Sequence, residues 1–106
     1  MTNEQLTAIL AARVMGWSVA PDRFLSGKRG WIPRWKLMPT ERLTDAFRLL
    51  EAAKPRQYTM RCSEDGLFTV RVEIGKVNGE ARDVSKPRAI SYAIARAVGI
   101  EVDSTE

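Results

Sequence analysis

Apolar positions recur along this chain with two periods, and the switch between them divides it into elements. Leu6, Ile9, Leu10, Val14 and Trp17 make one helical stripe, which predicts a helix over residues 3–16. Thr2 or Asn3 supplies its cap, Glu4 suits the positive end of the helix dipole, and Gly16 ends it. Leu43, Ala46, Phe47, Leu50 and Ala53 predict a second helix over 41–54, capped by Thr40 and stopped by Pro55. Ala89, Ile90, Ala93, Ile94, Ala97 and Val98 predict a third over 86–98. Its apolar face is narrow and made of small residues, as close packing on a sheet requires. Ser85 caps it, Pro87 sits in the first turn where a missing N–H costs little, and Gly99-Ile100 fits a Schellman ending.

Between the second and third helices the period changes to two. Tyr58, Met60 and Cys62 alternate with Thr59, Arg61 and Ser63. Phe68, Val70, Val72 and Ile74 alternate with Thr69, Arg71 and Glu73. Strands are therefore predicted over 57–63 and 67–75, joined through the Asp65-Gly66 hairpin signal. Asn78-Gly79 reads as a second hairpin turn, leading to a weaker third strand near 80–84. Cys62 lies on the apolar side of its strand and is expected in the core. The predicted fold is an α+β domain spanning residues 1–106. Three helices pack on an antiparallel sheet of two to three strands, α-β-α sandwich-like, with a long loop between helices 1 and 2. The tail from 103 to 106 is polar and expected to fray. The alternation gives the sheet one polar face, so the long loop or a second subunit covers that face, or it stays wet.

Composition mostly removes chemistries. The chain of 106 residues has one cysteine and no histidine. That excludes an intramolecular disulfide, Ser-His and Cys-His nucleophiles, and in practice a zinc site. Neither catalytic nor metal-ligating residues are assigned, no cofactor is implied, and the chain is expected not to be an enzyme. No apolar run approaches the roughly 20 residues of a membrane helix, and the polar start shows no secretory signal, so the cytoplasm is the expected compartment.

The charge matters more than its total. Seventeen basic and thirteen acidic residues net +4, and the whole excess lies in residues 18–39: Arg23, Lys28, Arg29, Arg34 and Lys36 against Asp22. This segment has no hydrophobic period and is punctuated by Pro21, Gly27, Gly30, Pro33 and Pro39, so it reads as a long irregular loop. It also carries Phe24, Trp31 and Trp35. Cations interleaved with aromatics suit a nucleotide, whose phosphates take guanidinium and ammonium donors and whose base takes a flat π surface. Lys28, Arg29, Trp31, Arg34, Trp35 and Lys36 are the candidate ligand-binding residues. On this reading the arginines are exposed, and losing Arg29 or Arg34 weakens binding while barely changing folding. The plainer reading makes the tryptophans lids on the core and leaves the cations solvated. Ser26-Gly27-Lys28-Arg29 fails the phosphate-loop motif. Arg29 stands where Ser or Thr is required, and Asp22 where the first glycine belongs, so nucleoside triphosphate hydrolysis is not expected.

Several short segments together resemble the phage ABA sandwich domain family. They are Leu10 through Trp17 with its Met15-Gly16-Trp17, the proline-started helix from Pro39 to Glu51 with Phe47 at its centre, and Ser85-Lys86-Pro87-Arg88-Ala89-Ile90 continuing through Ala93 and Ala97. The chain departs from that pattern in the basic, aromatic loop and at Ser91, where the family pattern leads one to expect cysteine. The resemblance implies a bacteriophage or prophage origin and an α-β-α layered domain, and little about activity.

Three functions are compatible with these residues. The leading one is a non-enzymatic phage accessory protein that binds an anionic small ligand, a nucleotide, and sequesters a nucleotide signal of host immunity. The second is a protein-binding inhibitor of a host defence complex, and the third a structural domain without a ligand. Nucleic acid is a poor partner, because +4 confined to one loop is little charge for many phosphate contacts. A second copy of the chain is a further expected partner, since a small antiparallel sheet exposes edges that need pairing.

Overall fold

The computed structural model describes residues 2–27 and 30–102. The elements run α1 (Asn3–Arg13), β1 (Ser18–Val19), β2 (Arg23–Ser26), β3 (Gly30–Pro33), a 3₁₀ turn (Arg34–Lys36), α2 (Leu43–Ala53), β4 (Gln57–Cys62), β5 (Phe68–Ile74), β6 (Val77–Asp83) and α3 (Lys86–Ala97). The fold class is α+β, as the sequence predicts, with two three-stranded antiparallel sheets, β1-β2-β3 and β4-β5-β6.

The expected long loop holds three short strands and a 3₁₀ turn. Phe24 pairs with Ile32 and Leu25 with Trp31 across β2 and β3, and β1 adds to β2 through Ser18–Leu25 and Val19–Phe24. The strands are two to four residues long, too short for a period to be seen, and glycines and prolines fall at their ends. Phe24, Ile32, Leu37 and Ala11 form a small second core, with Met15 and Trp17 packed against it.

The main core joins Leu6 and Leu10 of α1, Ala46, Leu49 and Leu50 of α2, Val70, Val72 and Ala81 of the sheet, and the small face of α3. The Thr2 hydroxyl accepts from Gln5 N at 3.1 Å and the Gln5 side chain accepts from Thr2 N at 2.8 Å, a reciprocal cap that starts α1. Thr40 does not cap α2. It is buried, the cap position is Arg42, and Leu43 stays exposed at the helix start. The Asp45 carboxylate instead accepts from Met38 N at 3.0 Å, fixing the chain just ahead of the helix. Ser91, buried in α3, donates to the Pro39 carbonyl at 2.8 Å and ties α3 to the same approach. α3 ends in the predicted Schellman arrangement, with Ile100 N donating to Ala95 O at 2.8 Å and Gly99 N to Arg96 O at 3.2 Å.

The third strand begins earlier than predicted, because Asn78-Gly79 is not the turn. The two-residue connection is Gly75-Lys76, with Gly75 at φ 63°, and Asn78 and Gly79 lie within β6, opposite Glu73 and Val72. Gly79 serves packing. A Cβ there would fall 2.0 Å from the Ala93 carbonyl oxygen and 2.4 Å from Ala97 N. Only glycine lets α3 rest its backbone on the strand.

α3 lies over β6 and β5, and β4 extends beyond its reach. Cys62 is therefore exposed and not in the core, although its strand alternates as predicted. The opposite, polar face of this sheet is also open: Thr59, Arg61, Arg71 and Glu80 are exposed. The segment before α2 forms its own sheet and does not cover that face.

Candidate functional site

The β1-β2-β3 sheet and the 3₁₀ turn after it carry the candidate residues that the structure describes. Lys28 and Arg29 lie outside the described residues. The pairing of β2 with β3 buries Phe24 and Ile32 on one side, which sends Trp31 to the other. The 3₁₀ turn then leaves the Trp35 ring outside the small core. Trp31 is 56% exposed and Trp35 58%, so neither is a core lid. That outcome removes the plainer reading of the two indoles. Trp17 is the tryptophan that packs inward, its ring 5.7 Å from Phe24 and covered at 5.5 Å by Arg48.

Each exposed indole has a cation over its ring: Arg23 at 5.4 Å from Trp31 and Lys36 Nζ at 5.1 Å from Trp35. Arg23 is also engaged by Asp22, Nη2 to Oδ2 at 2.9 Å. The Arg23 hydrogen bond holds the Asp22 carboxyl below its ordinary value, and desolvation opposes it only in part. Arg23 therefore offers a compensated charge, whereas no ion pair among the described residues engages Lys36.

Arg34 does not fit the expectation of an exposed, dispensable cation. It is half-buried, its Nη2 donates to the Ala20 carbonyl at 2.9 Å, and its guanidinium lies 4.9 Å over the Phe24 ring. It pins the turn to the loop before β2 and covers the small core. Its Nε is buried without a hydrogen-bond partner.

The structure divides Trp31, Arg34 and Trp35 between two concavities, and Lys36 lines neither of them. Trp31 lines a shallow one of ≈ 280 Å³ with Asp22, Arg23, Ile32 and Pro33. Trp35 and Arg34 line a cleft of ≈ 290 Å³ together with Phe24, Leu37, Met38, Thr40 and Glu41, closed on the far side by Asn3, Glu4 and Thr7 of α1. The α1 contribution is absent from the candidates drawn from sequence. No local signal links residue 4 to residue 41; only the docking of α1 brings them together. A third concavity of ≈ 530 Å³ lies on the open polar face of β4-β5-β6, lined by Arg61, Arg71, Glu73 and Glu80 among others. Among the described residues no cluster of His, Cys, Asp and Glu could hold a metal ion, and no helix is long and apolar enough to cross a membrane.

The same fold occurs in the crystal structure of a phage protein from Bacillus cereus. That chain superposes with a TM-score of 0.82 over 97% of this chain and 93% of its own, at 14% sequence identity. No family model matches the sequence, so the phage ABA sandwich resemblance rests on its short motifs alone. No curated protein matches either.

Proposed function

We propose that this protein is a non-enzymatic phage accessory protein that binds a small anionic ligand, a nucleotide, at Trp35 and Lys36 beside the cleft against α1. In the host cytoplasm it would act by sequestering a nucleotide signal of host immunity. One observation carries the reading: two indoles are held more than half exposed, each beside a cation. A buried aromatic ring contributes about 1.5–3 kcal/mol to a small core, and these two contribute little of that. An exposed indole with a cation beside it is instead a surface on which a base stacks while its phosphate is neutralised.

Of the two, Trp35 is the better platform. Lys36 is its cation and no ion pair among the described residues engages it, whereas Arg23 beside Trp31 is held by Asp22. The Trp35 cleft is also at the lower end of the size range of small-molecule sites, about 300–1,000 Å³. Glu4 and Glu41 on its rim suit the amino edge of a base better than a phosphate, so the phosphate belongs on the Lys36 side. Binding without turnover is proposed because no histidine or activated nucleophile is available to the ligand. The fold shared with a phage protein and the phage-like motifs support the phage setting.

Tryptophan fluorescence and calorimetry with a panel of mono-, di- and cyclic nucleotides test the reading. Binding is expected for at least one class, weakened about 10- to 100-fold by Trp35→Ala, since base stacking is worth about 1–3 kcal/mol. A flat response to every nucleotide, with a host protein captured only when Trp35 is intact, would replace it by inhibition of a host protein complex. Nucleotide turnover by the purified protein would overturn the non-enzymatic part.

A further inference from the structure

The two edges of the β4-β5-β6 sheet are finished differently. At β6, α3 sits on the strand, and Arg96 donates from Nη1 to the Glu80 carbonyl at 2.6 Å and from Nη2 to the Val102 carbonyl at 3.1 Å. Helix, strand and the chain beyond the helix are tied together there. β4 has no such cover. It is exposed along nearly its whole length, with Tyr58 at 48% on the side that faces the helices and Met60 only half-buried. Among the described residues, no side chain hydrogen-bonds to its backbone. Natural edges are blunted by proline, lysine, a bulge or an inward-facing charge. β4 has none of these between Gln57 and Cys62, and its pairing with β5 runs unbroken from Gln57–Glu73 to Cys62–Phe68.

We propose that β4 is the contact surface for a second copy of this chain. The two β4 strands pair antiparallel about a two-fold axis at Thr59 and extend the sheet to six strands. Such an interface must be self-complementary, and this register is. On the polar face Thr59 meets Thr59 of the partner subunit, and Gln57 meets the partner's Arg61. On the helix side Tyr58 meets the partner's Met60, covering an exposed ring with a thioether.

Charge selects this register over its neighbour. Gln57 is paired with Glu73 on β5 and donates to it at 2.8 Å. The row across the interface then reads Glu73, Gln57, the partner's Arg61, with opposite charges at its ends. Arg56 already meets Glu73 at 3.5 Å and would share it. Moving the axis to Met60 would set the partner's Arg61 opposite Thr59, whose β5 partner is Arg71, and place like charges in one row. The pairing also joins two open polar faces into one continuous surface. It is independent of the nucleotide reading, since Trp35 lies on other elements.

Sedimentation equilibrium of the full chain tests it. The wild type is expected at twice the 11.9 kDa of one chain at micromolar concentration. Thr59→Asp sets two carboxylates against each other on the axis and should give a monomer with an unchanged circular dichroism spectrum. Arg61→Glu should weaken the dimer about tenfold, and Arg61→Glu with Glu73→Arg should restore it. A wild type that stays monomeric, or a folded Thr59→Asp protein that stays dimeric, overturns the proposal. If Thr59→Asp fails to fold, Thr59→Cys in a Cys62→Ser background decides. A disulfide-linked dimer under mild oxidation supports the register, and its absence overturns it.

Discussion

The molecule has two hydrophobic centres built on opposite terms. The larger is aliphatic and small-grained: leucine, isoleucine, valine and a run of alanines, contributed by long elements that repeat with clear periods. The smaller is built around one large ring, Phe24, supported by Ile32, Leu37, Ala11 and the Trp17 indole, on strands of two to four residues. The first is held by the fit between a flat helix face and a strand with a missing side chain. The second is held by one ring and the Arg34 guanidinium across it. Small residues in register give a broad, interlocked layer, whereas one ring gives a pivot around which a short sheet can hold exposed side chains.

Removing the pivot should have the largest effect. Phe24→Ala is expected to loosen residues 18–37 by about 3–5 kcal/mol, the usual loss for a buried aromatic. Hydrogen exchange should show it as lost protection at Leu25 and Ile32 with β5 amides still protected. Uniform loss across both sheets would show that the two centres are one unit. Next is Gly79→Ala, which drives a methyl into the α3 backbone. Overpacking typically costs about 1–3 kcal/mol, and this variant belongs at the upper end because backbone atoms cannot turn aside. A lowered melting temperature with α3 amides exposed checks it, and an unchanged one would mean that the helix rides free of the strand.

Acid gives a smaller effect in the larger unit. Burial disfavours the Asp83 carboxylate, but hydrogen bonds from Arg88 and Ser85 N together with the Arg88 charge outweigh it, so the group titrates below its ordinary 3.8. A depressed carboxyl stabilises the fold above its unfolded value, and that contribution is lost as pH falls through the lower, folded value. Stability should drop below about pH 3.8 in the wild type, and Asp83→Asn should flatten that part of the curve. The smallest changes are expected at the surface of the small centre. Trp31→Ala and Trp35→Ala should stay within about ±0.5 kcal/mol of wild type by chemical denaturation. A larger loss would make them part of the pivot after all.

The same contrast explains what could be read from the sequence. Three helices and the meander were legible because apolar residues repeated over many turns or strand pairs, and the small face of α3 announced close packing. The strands of the 18–37 segment were not, since three or four residues cannot show a period. The paired Asn78-Gly79 misled because glycine serves turns and close contacts alike, and the alternation alone cannot tell which. Cys62 misled for a related reason: period two assigns a face, but how far a helix reaches over that face depends on where Gly79 lets it settle. At the site, the aromatic and basic character of residues 31–36 was visible. The capture of Arg34 by the Ala20 carbonyl, and the wall supplied by α1, depend on segments distant in sequence.

Each described strand pairs with a neighbour along the chain, and that order has a consequence in time. Short closures cost little entropy, so both sheets can assemble from local encounters. α1 cannot finish in the same way. Its far contacts run from Arg13 to the Val98 carbonyl at 2.9 Å and from Asn3 to the Tyr92 hydroxyl at 3.3 Å, spanning 85 and 89 residues. α1 also has near partners, since its Ala11 joins Phe24, Ile32 and Leu37 in the small core, so the wall it gives the Trp35 cleft can close from these nearer contacts. During synthesis only its ties to α3 have to wait for the last helix, and they join the first element of the chain to the last.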